Sequence, residues 1–208
     1  MINLGRIAIL SAALMALGML GAQASPAAEF HCSAEPCWPI TKTDGSGKTA
    51  HHVIVIKQGA ASAAITCSTF KAEGELPFKT FSSLRLRNLA YSTCTLAGSA
   101  ATVSVNGCEY ELTASGLFSI VCPSGKAITI STGACQVKIG SQSFLSTASF
   151  TNLSFKKEIT FGLAVKKIVA SASGCEPLGL PTATYFESEY TTGNTIIWGT
   201  FGESIWWE

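Results

Sequence analysis

The chain has 208 residues, and its 14 Lys and Arg against 13 Asp and Glu leave a formal net charge of +1. That balance removes the electrostatic case for a nucleic-acid or anionic-membrane partner, which rests on a surplus of cations. Only 13% of residues are charged, while Ser, Thr and Gly are abundant; helical surfaces draw more on Glu, Lys, Arg and Leu, so the composition favours strands.

The N-terminus reads as a targeting segment. Arg6 precedes the apolar run Ile7 to Ala22, and Ala22-Gln23-Ala24 has the small-x-small pattern required for cleavage. The run is too short, and too rich in Ala and Gly, to be a membrane span. Residues 1–24 are therefore expected to be a secretory signal peptide cleaved after Ala24, with Ala28 as the alternative. Removing them takes away Arg6 alone among the charges and leaves 13 basic and 13 acidic residues. Cys32 follows Glu-Phe-His rather than a small apolar box, so it is not expected to carry a lipid. The LPTAT stretch (Leu180 to Thr184) has Ala-Thr where a cell-wall sorting signal has Thr-Gly, and no hydrophobic tail follows it. The mature chain is expected outside the cell, with no membrane span.

Residues 25–50 form a Cys-, Pro- and Gly-containing lead and linker that ends in TKTDGSGKT, and residues 51–208 are expected to be one β-domain. HHVIVI (His51 to Ile56) and AAITCSTF (Ala63 to Phe70) flank a hairpin turn. In Thr80 to Cys94, apolar residues alternate at Leu84 and Leu86 and again at Leu89 and Tyr91, with Arg85 and Arg87 on the other face. NGCEYELTASGLFSIVC (Asn106 to Cys122) is the most explicit hairpin. A three-residue loop at Ala114-Ser115-Gly116 places 112 opposite 118, 110 opposite 120, and 108 opposite 122, so that all six inward residues agree. AITI (Ala127 to Ile130) is expected to pair with CQVKI (Cys135 to Ile139), with Ile130 opposite Cys135 and Ile128 opposite Val137. FLSTASF, EITFGLAV, TATYFESEY, NTIIWGTF and IWW follow, with a bulge or strand end at Lys166-Lys167. Short strands joined by Gly, Ser and Pro turns signal a single all-β, antiparallel sandwich or barrel-like domain.

All eight cysteines lie after the signal, and their number is even, so four disulfides are expected in an oxidising compartment. The hairpin register pairs Cys108 with Cys122. Cys32 and Cys37 close the loop CSAEPC, and Cys67 and Cys94 end or interrupt neighbouring apolar stretches, which leaves Cys135 for Cys175. Structural zinc relies on C-x-x-C spacings, and the chain has none.

YSTC (Tyr91 to Cys94), VSVNGCEYEL (Val103 to Leu112), IVCPSGKAITI (Ile120 to Ile130) and the terminal IWWE resemble a family of secreted, β-rich, disulfide-containing bacterial proteins of uncharacterised activity. The resemblance runs from about residue 50 to the C-terminus and includes Cys67, Cys94, Cys108, Cys122, Cys135 and Cys175; Cys32 and Cys37 stand as an addition. It implies a secreted β-domain with three core disulfides, and it transfers no activity, since none is assigned to such proteins.

The chemistry-bearing residues are few. His51 and His52 are neighbours in a strand and point to opposite faces, so a His31–His52–Glu metal site is disfavoured against hydrogen-bonded histidines at a strand entry. Asp44 is the sole aspartate, which removes calcium loops, and without a G-x-S-x-G elbow a Ser-His-Asp triad has no scaffold. GSGKT (Gly45 to Thr49) has Lys42 where a phosphate loop needs its first glycine, and reads as a linker. Glu109 and Glu111 share a strand face with spacing that loosely suits glycoside hydrolysis, but are expected to pair with Arg85 and Arg87 on a solvated surface. Trp198, Trp206, Trp207 and Tyr190 are the candidate binding residues, since carbohydrate-binding sandwiches use aromatic platforms. The expected function is a secreted, non-enzymatic β-domain with a binding or cell-envelope role and no cofactor. Its partner would be an extracellular polysaccharide or an envelope component. The alternatives are a carbohydrate-binding module working through the C-terminal aromatics and, third, an extracellular hydrolase.

Overall fold

The computed structural model describes residues 27–42, 52–146, 148–153, 158–193 and 195–208. The expected signal segment, the GSGKT connector with Asp44, and His51 lie outside these residues.

The described residues form an all-β, disulfide-stapled domain. Its strands are β1 (Phe30–Cys32), β2 (Pro39–Lys42), β3 (His52–Gln58), β4 (Ala61–Gly74), β5 (Thr80–Phe81), β6 (Ser83–Leu96), β7 (Ser99–Ser104), β8 (Glu109–Thr113) and β9 (Leu117–Val121). They continue with β10 (Ile128–Thr132), β11 (Cys135–Ile139), β12 (Gln142–Ser146), β13 (Ala148–Leu153), β14 (Glu158–Ser173), β15 (Ala183–Thr192), β16 (Thr195–Gly199) and β17 (Ile205–Trp207). Two single 3-10 turns, Glu176–Leu178 and Thr200–Gly202, interrupt them.

Every strand pairing among the described residues is antiparallel, and the pairings close on themselves. β3 pairs with β4, β4 with β6, β6 with β7, β7 with β10, β10 with β11, β11 with β14, β14 with β15, and β15 with β3 again. Closure removes sheet edges, and the interior is filled by alternate side chains. Ile54, Ile56, Ile65, Leu96, Ile128, Ile130, Val137, Val165 and Tyr190 all point into it and are buried. The long strands β4, β6 and β14 run out of this ring and collect further partners. β6 begins on β8 at Ser83–Leu86, and β14 begins between β13 and β16 at Glu158–Phe161. A separate three-stranded sheet, β17–β1–β5, packs Phe30 and Ile205 into the same core.

A strand that serves two sets of neighbours must bend, and backbone outliers mark the bends. Asn88 (φ 49°) and Thr93 (φ 51°) lie in β6, and Lys167 (φ 62°) lies in β14. Each shifts which parity faces inward: Leu84 and Leu86 are buried before Asn88, Leu89 after it, and Cys94 and Leu96 after Thr93. The expected bulge at Lys166-Lys167 is present as a register break between Val165 and Ile168, and the strand continues past it. Opposite Ile168 sits Ser188, fully buried, whose Oγ has no hydrogen-bond partner among the described residues. An unpaired buried hydroxyl costs stability, so Ser188→Ala should stabilise the domain by about 1 kcal/mol. A denaturant midpoint that falls instead would show that the hydroxyl is satisfied.

The hairpin of β8 and β9 has the expected register, with Tyr110 opposite Ile120 and Leu112 opposite Phe118. Its loop closes through Gly116 at φ 89°, where an added Cβ would lie 2.8 Å from the Ala148 carbonyl oxygen. Two expectations need correction. In β10–β11, Ile130 faces Val137 and Ile128 faces Ile139, while Cys135 faces Thr132. The strands extend to a two-residue turn at Gly133-Ala134, and a shift of two positions keeps every side chain on its face. The lead is also part of the domain. β1 pairs with β17 and β5, and β2 pairs with β16 and β4, because the buried Phe30, Cys32 and Cys37 need the core to cover them.

Disulfides join Cys32 to Cys37, Cys67 to Cys94, Cys108 to Cys122 and Cys135 to Cys175. Cys67 and Cys94 are direct cross-strand neighbours on β4 and β6, so this bridge staples a ring-closing pair.

Candidate functional site

The structure scatters the four aromatic candidates. Tyr190 lies inside the ring at 2% exposure and is no surface residue. Its hydroxyl contacts His52 Nδ1 at 2.5 Å and the Tyr91 hydroxyl at 3.1 Å, and Tyr91 contacts the Tyr110 hydroxyl at 2.6 Å. The other ring nitrogen, His52 Nε2, is 3.4 Å from Thr195 Oγ1. The chain can be satisfied throughout, for example in the order in which Tyr110 donates to Tyr91, Tyr91 to Tyr190, and Tyr190 to Nδ1, while Nε2–H donates to Thr195. The order requires a neutral imidazole. Burial enforces that state by pushing the His52 pKa down to about 3. Burial likewise pushes the Tyr110 pKa up to about 12 and holds Tyr91 and Tyr190 well above the ordinary tyrosine value. The enclosed cavity beside this chain, lined in part by His52, Tyr91 and Tyr110, measures only about 10 Å³. That is space for about one water, so it is a packing feature and no ligand chamber.

His31 and His52 are not brought together. His31 lies on the outer face of β1, its ring stacked on Trp206 with centroids 5.3 Å apart and Thr80 Oγ1 at 3.4 Å. Trp206 is therefore a half-buried lid over the small sheet. Trp207 points the other way. Its Nε1–H donates to the Ala114 carbonyl at 2.9 Å, its ring packs on Phe150, and Asn152 pairs with its backbone N–H and C=O. Each of these contacts fixes the C-terminal strand in place.

Glu109 and Glu111 are held by arginines. Arg85 reaches Glu109 at 3.7 Å and Glu111 at 3.5 Å, and Arg87 reaches Glu109 at 3.5 Å and Glu75 at 3.6 Å. The carboxylates thus form an ion-pair ladder across β6 and β8 with every arginine partly exposed, an arrangement of small energetic weight. One trio of metal-ligand types converges among the described residues, Cys32, Cys37 and Glu203. The two sulfurs are bonded to each other and offer no thiolate.

Trp198 is the candidate that faces solvent, and residues not foreseen from the sequence accompany it. β2 and β16 pair with Ile40 opposite Trp198, and Thr200 N–H donates to the Trp38 carbonyl at 3.0 Å. Alternation turns Cys37, Pro39 and Thr41 inward and leaves Trp38 and Ile40 on the outer face. Trp38 is 39% exposed and Trp198 38%, so two indoles and Ile40 form an outward apolar patch on adjacent strands. Phe201, at the tip of the following turn, is 92% exposed and holds φ 61°. Beside Trp198 is a surface pocket of about 260 Å³ lined by Glu158, Trp198, Gly199, Gly202, Glu203 and Ser204. Trp38 escaped the sequence reading because it sits in the Cys- and Pro-rich lead. Its one signal was the alternation in Cys37-Trp-Pro-Ile-Thr41.

With this geometry described, relatives offer no further guidance: no protein-family model, curated protein or solved structure matches the chain.

Proposed function

We propose that the chain is a secreted, non-catalytic β-domain that works by binding an extracellular polymer or cell-envelope component through the rim formed by Trp38, Trp198 and Phe201. The observation that carries this reading is the exposure of three large aromatics, Trp38, Trp198 and Phe201, along β2, β16 and the turn that follows; the other exposed aromatics, Phe78 and Phe186, lie before β5 and in β15. Exposed aromatics gathered at one place mark interaction surfaces, whereas scattered ones are ordinary. Four disulfides support an oxidising destination, and the near-zero net charge gives no pull toward nucleic acid. The carbohydrate-binding alternative is favoured by the same indoles, whose flat apolar faces suit sugar rings.

The test is retention of the purified protein on insoluble polysaccharides and on isolated envelope material. Trp198→Ala should lower retention about ten-fold or more, an effect typical of a central aromatic anchor. Trp207→Ala should instead cost about 3 kcal/mol of stability through lost packing, and should leave retention intact wherever the variant is folded. Retention indifferent to Trp198 would sink the reading, and turnover of broad ester, peptide or glycoside substrates would overturn its non-catalytic part.

A further inference from the structure

We propose that the buried cluster of His52, Tyr190, Tyr91 and Tyr110 is a proton-coupled redox site: Tyr190 gives one electron to an oxidant of the peroxyl-radical class while its phenolic proton passes to His52 Nδ1. This goes beyond the binding reading above and shares no residue with the aromatic rim. Five strands bring the groups together, since His52 opens β3, Tyr91 lies in β6, Tyr110 in β8, Tyr190 in β15, and Thr195 opens β16. The Tyr190 hydroxyl is 2.5 Å from Nδ1, within the reach that proton transfer needs, and Tyr91 links it to Tyr110 through contacts of 3.1 and 2.6 Å. The far side of the ring sets which nitrogen is bare. Thr195 Oγ1 donates to the Gly193 carbonyl at 3.5 Å, so it accepts from Nε2–H at 3.4 Å and leaves Nδ1 as the acceptor for Tyr190.

Loss of one electron turns a phenol into a radical cation, which is a strong acid. The O–H bond of Tyr190 then breaks, an N–H bond forms at Nδ1, and the oxidant leaves reduced by one electron. The products are a neutral Tyr190 radical and an imidazolium, and Tyr91 donates a hydrogen bond to the radical oxygen. Around the imidazole stand Phe70 and Cys67 from β4, Tyr91 from β6, Tyr190 from β15 and Thr195 from β16, and none carries a charge. No Asp, Glu, Lys or Arg is buried among the described residues, so His52 is the one base among them that the proton reaches without leaving the core. The adjoining cavity of about 10 Å³ holds about one water, too little for a chain to carry the proton out. Burial makes His52 a weak base, its pKa pushed down to about 3, yet the radical cation is a far stronger acid and the transfer runs downhill.

Burial shuts water out of this cluster without shutting out electrons. Tyr91 is only partly buried, and its hydroxyl touches that of Tyr190, so an electron leaving Tyr190 crosses a single side chain to reach the surface. Phe70 and Phe118 pack on Tyr91 and Tyr110, each with ring centroids 5.0 Å apart, and keep solvent from the radical. Packing alone does not ask for these hydroxyls. Phenylalanine would fill nearly the same volume at all three tyrosines, and removing matched donors and acceptors together costs a fold little. A phenol aimed at a neutral imidazole with water excluded is the arrangement that proton-coupled electron transfer requires.

The test oxidises the intact mature protein with a photogenerated ruthenium(III) polypyridyl complex, and separately with peroxyl radicals from a thermal azo initiator. Transient absorption and electron paramagnetic resonance follow the product. Both oxidants should give a neutral tyrosyl radical, formed more slowly in D2O because the proton moves with the electron. Tyr190→Phe, which removes one oxygen and keeps the ring, should lose that signal. The potential of the wild-type couple should stay level across neutral pH, since the proton remains inside the protein. A tyrosine that releases its proton to water becomes easier to oxidise as pH rises, and His52→Gln should raise the potential and restore that slope. Undiminished radical yield in Tyr190→Phe would place the oxidation on another side chain and overturn the assignment. So would a potential that follows pH in the wild type, formation indifferent to D2O, or no tyrosyl signal from the folded protein. Should either variant fail to fold, the pH profile and isotope effect of the wild type decide by themselves.

Discussion

Lowering the pH from 6.5 toward 3 should strip the domain of about 4–5 kcal/mol of stability through His52 alone. The folded-state pKa of about 3 lies below the ordinary value of 6.5. Between those values the unfolded chain binds a proton that the folded chain refuses. The stabilisation is complete above pH 6.5, declines by up to about 1.4 kcal/mol per pH unit as pH falls, and levels off below 3. The cause is desolvation: His52 packs against Phe70, with ring centroids 4.3 Å apart, and is 2% exposed. Protonation would also put a hydrogen on both ring nitrogens, so that the Tyr190 hydroxyl could only accept at Nδ1 and the Thr195 hydroxyl could only accept at Nε2. His52→Gln should lose stability at neutral pH and flatten this part of the pH profile. Denaturant midpoints of wild type and variant across pH 3–7 check it. Parallel profiles would show that other groups, such as the carboxylates of Glu176 and Glu189, whose pKa values are lowered by hydrogen bonds from Thr182 and Lys57, carry the acid response.

Removing the Cys135–Cys175 bridge should be the most costly disulfide deletion. The bridge closes a loop with a sequence separation of 40, against 5 for Cys32–Cys37. Restricting a longer loop removes more entropy from the unfolded chain, about 4 kcal/mol for the first and about 2 kcal/mol for the second. The position amplifies the effect. Cys135 opens β11 beside the turn at Gly133-Ala134, and Cys175 follows β14, so the bridge locks the β11–β14 seam of the closed ring. The double variant Cys135→Ala with Cys175→Ala should unfold at a clearly lower denaturant concentration than Cys32→Ala with Cys37→Ala. The reverse ranking would mean that loop entropy does not govern these staples.

The two hairpin registers explain how far strand patterning can be read. In β8–β9, a three-residue loop with glycine at its left-handed position fixed the offset, and alternation then placed Cys108 opposite Cys122. In β10–β11, alternation was equally clean, but a slip of two residues moves no side chain to another face. Only the turn geometry at Gly133-Ala134 distinguishes the two offsets, and STGA admits both. Tyr190 was misplaced for a related reason. Tyr185 and Tyr190 have opposite parity, yet both are buried, because register breaks between β14 and β15 shift the phase between them.

The amino-acid sequence by itself determined the all-β class, the alternation within individual strands, the bulge at Lys166-Lys167 and the outward arginine–glutamate face. These depend on a period of two and on local backbone preference, both of which are written along the chain. Ring closure, the burial of His52 among three tyrosines, and the meeting of Trp38, Trp198, Glu158 and Glu203 were decided only by tertiary structure. They join positions as far apart as 38 and 203. Which strands become neighbours at that separation depends on how the whole core packs, and no local pattern carries that information. The lead containing Trp38 looked like a linker because its apolar residues are few; its place on β16 is set by the surface that the rest of the chain presents to it.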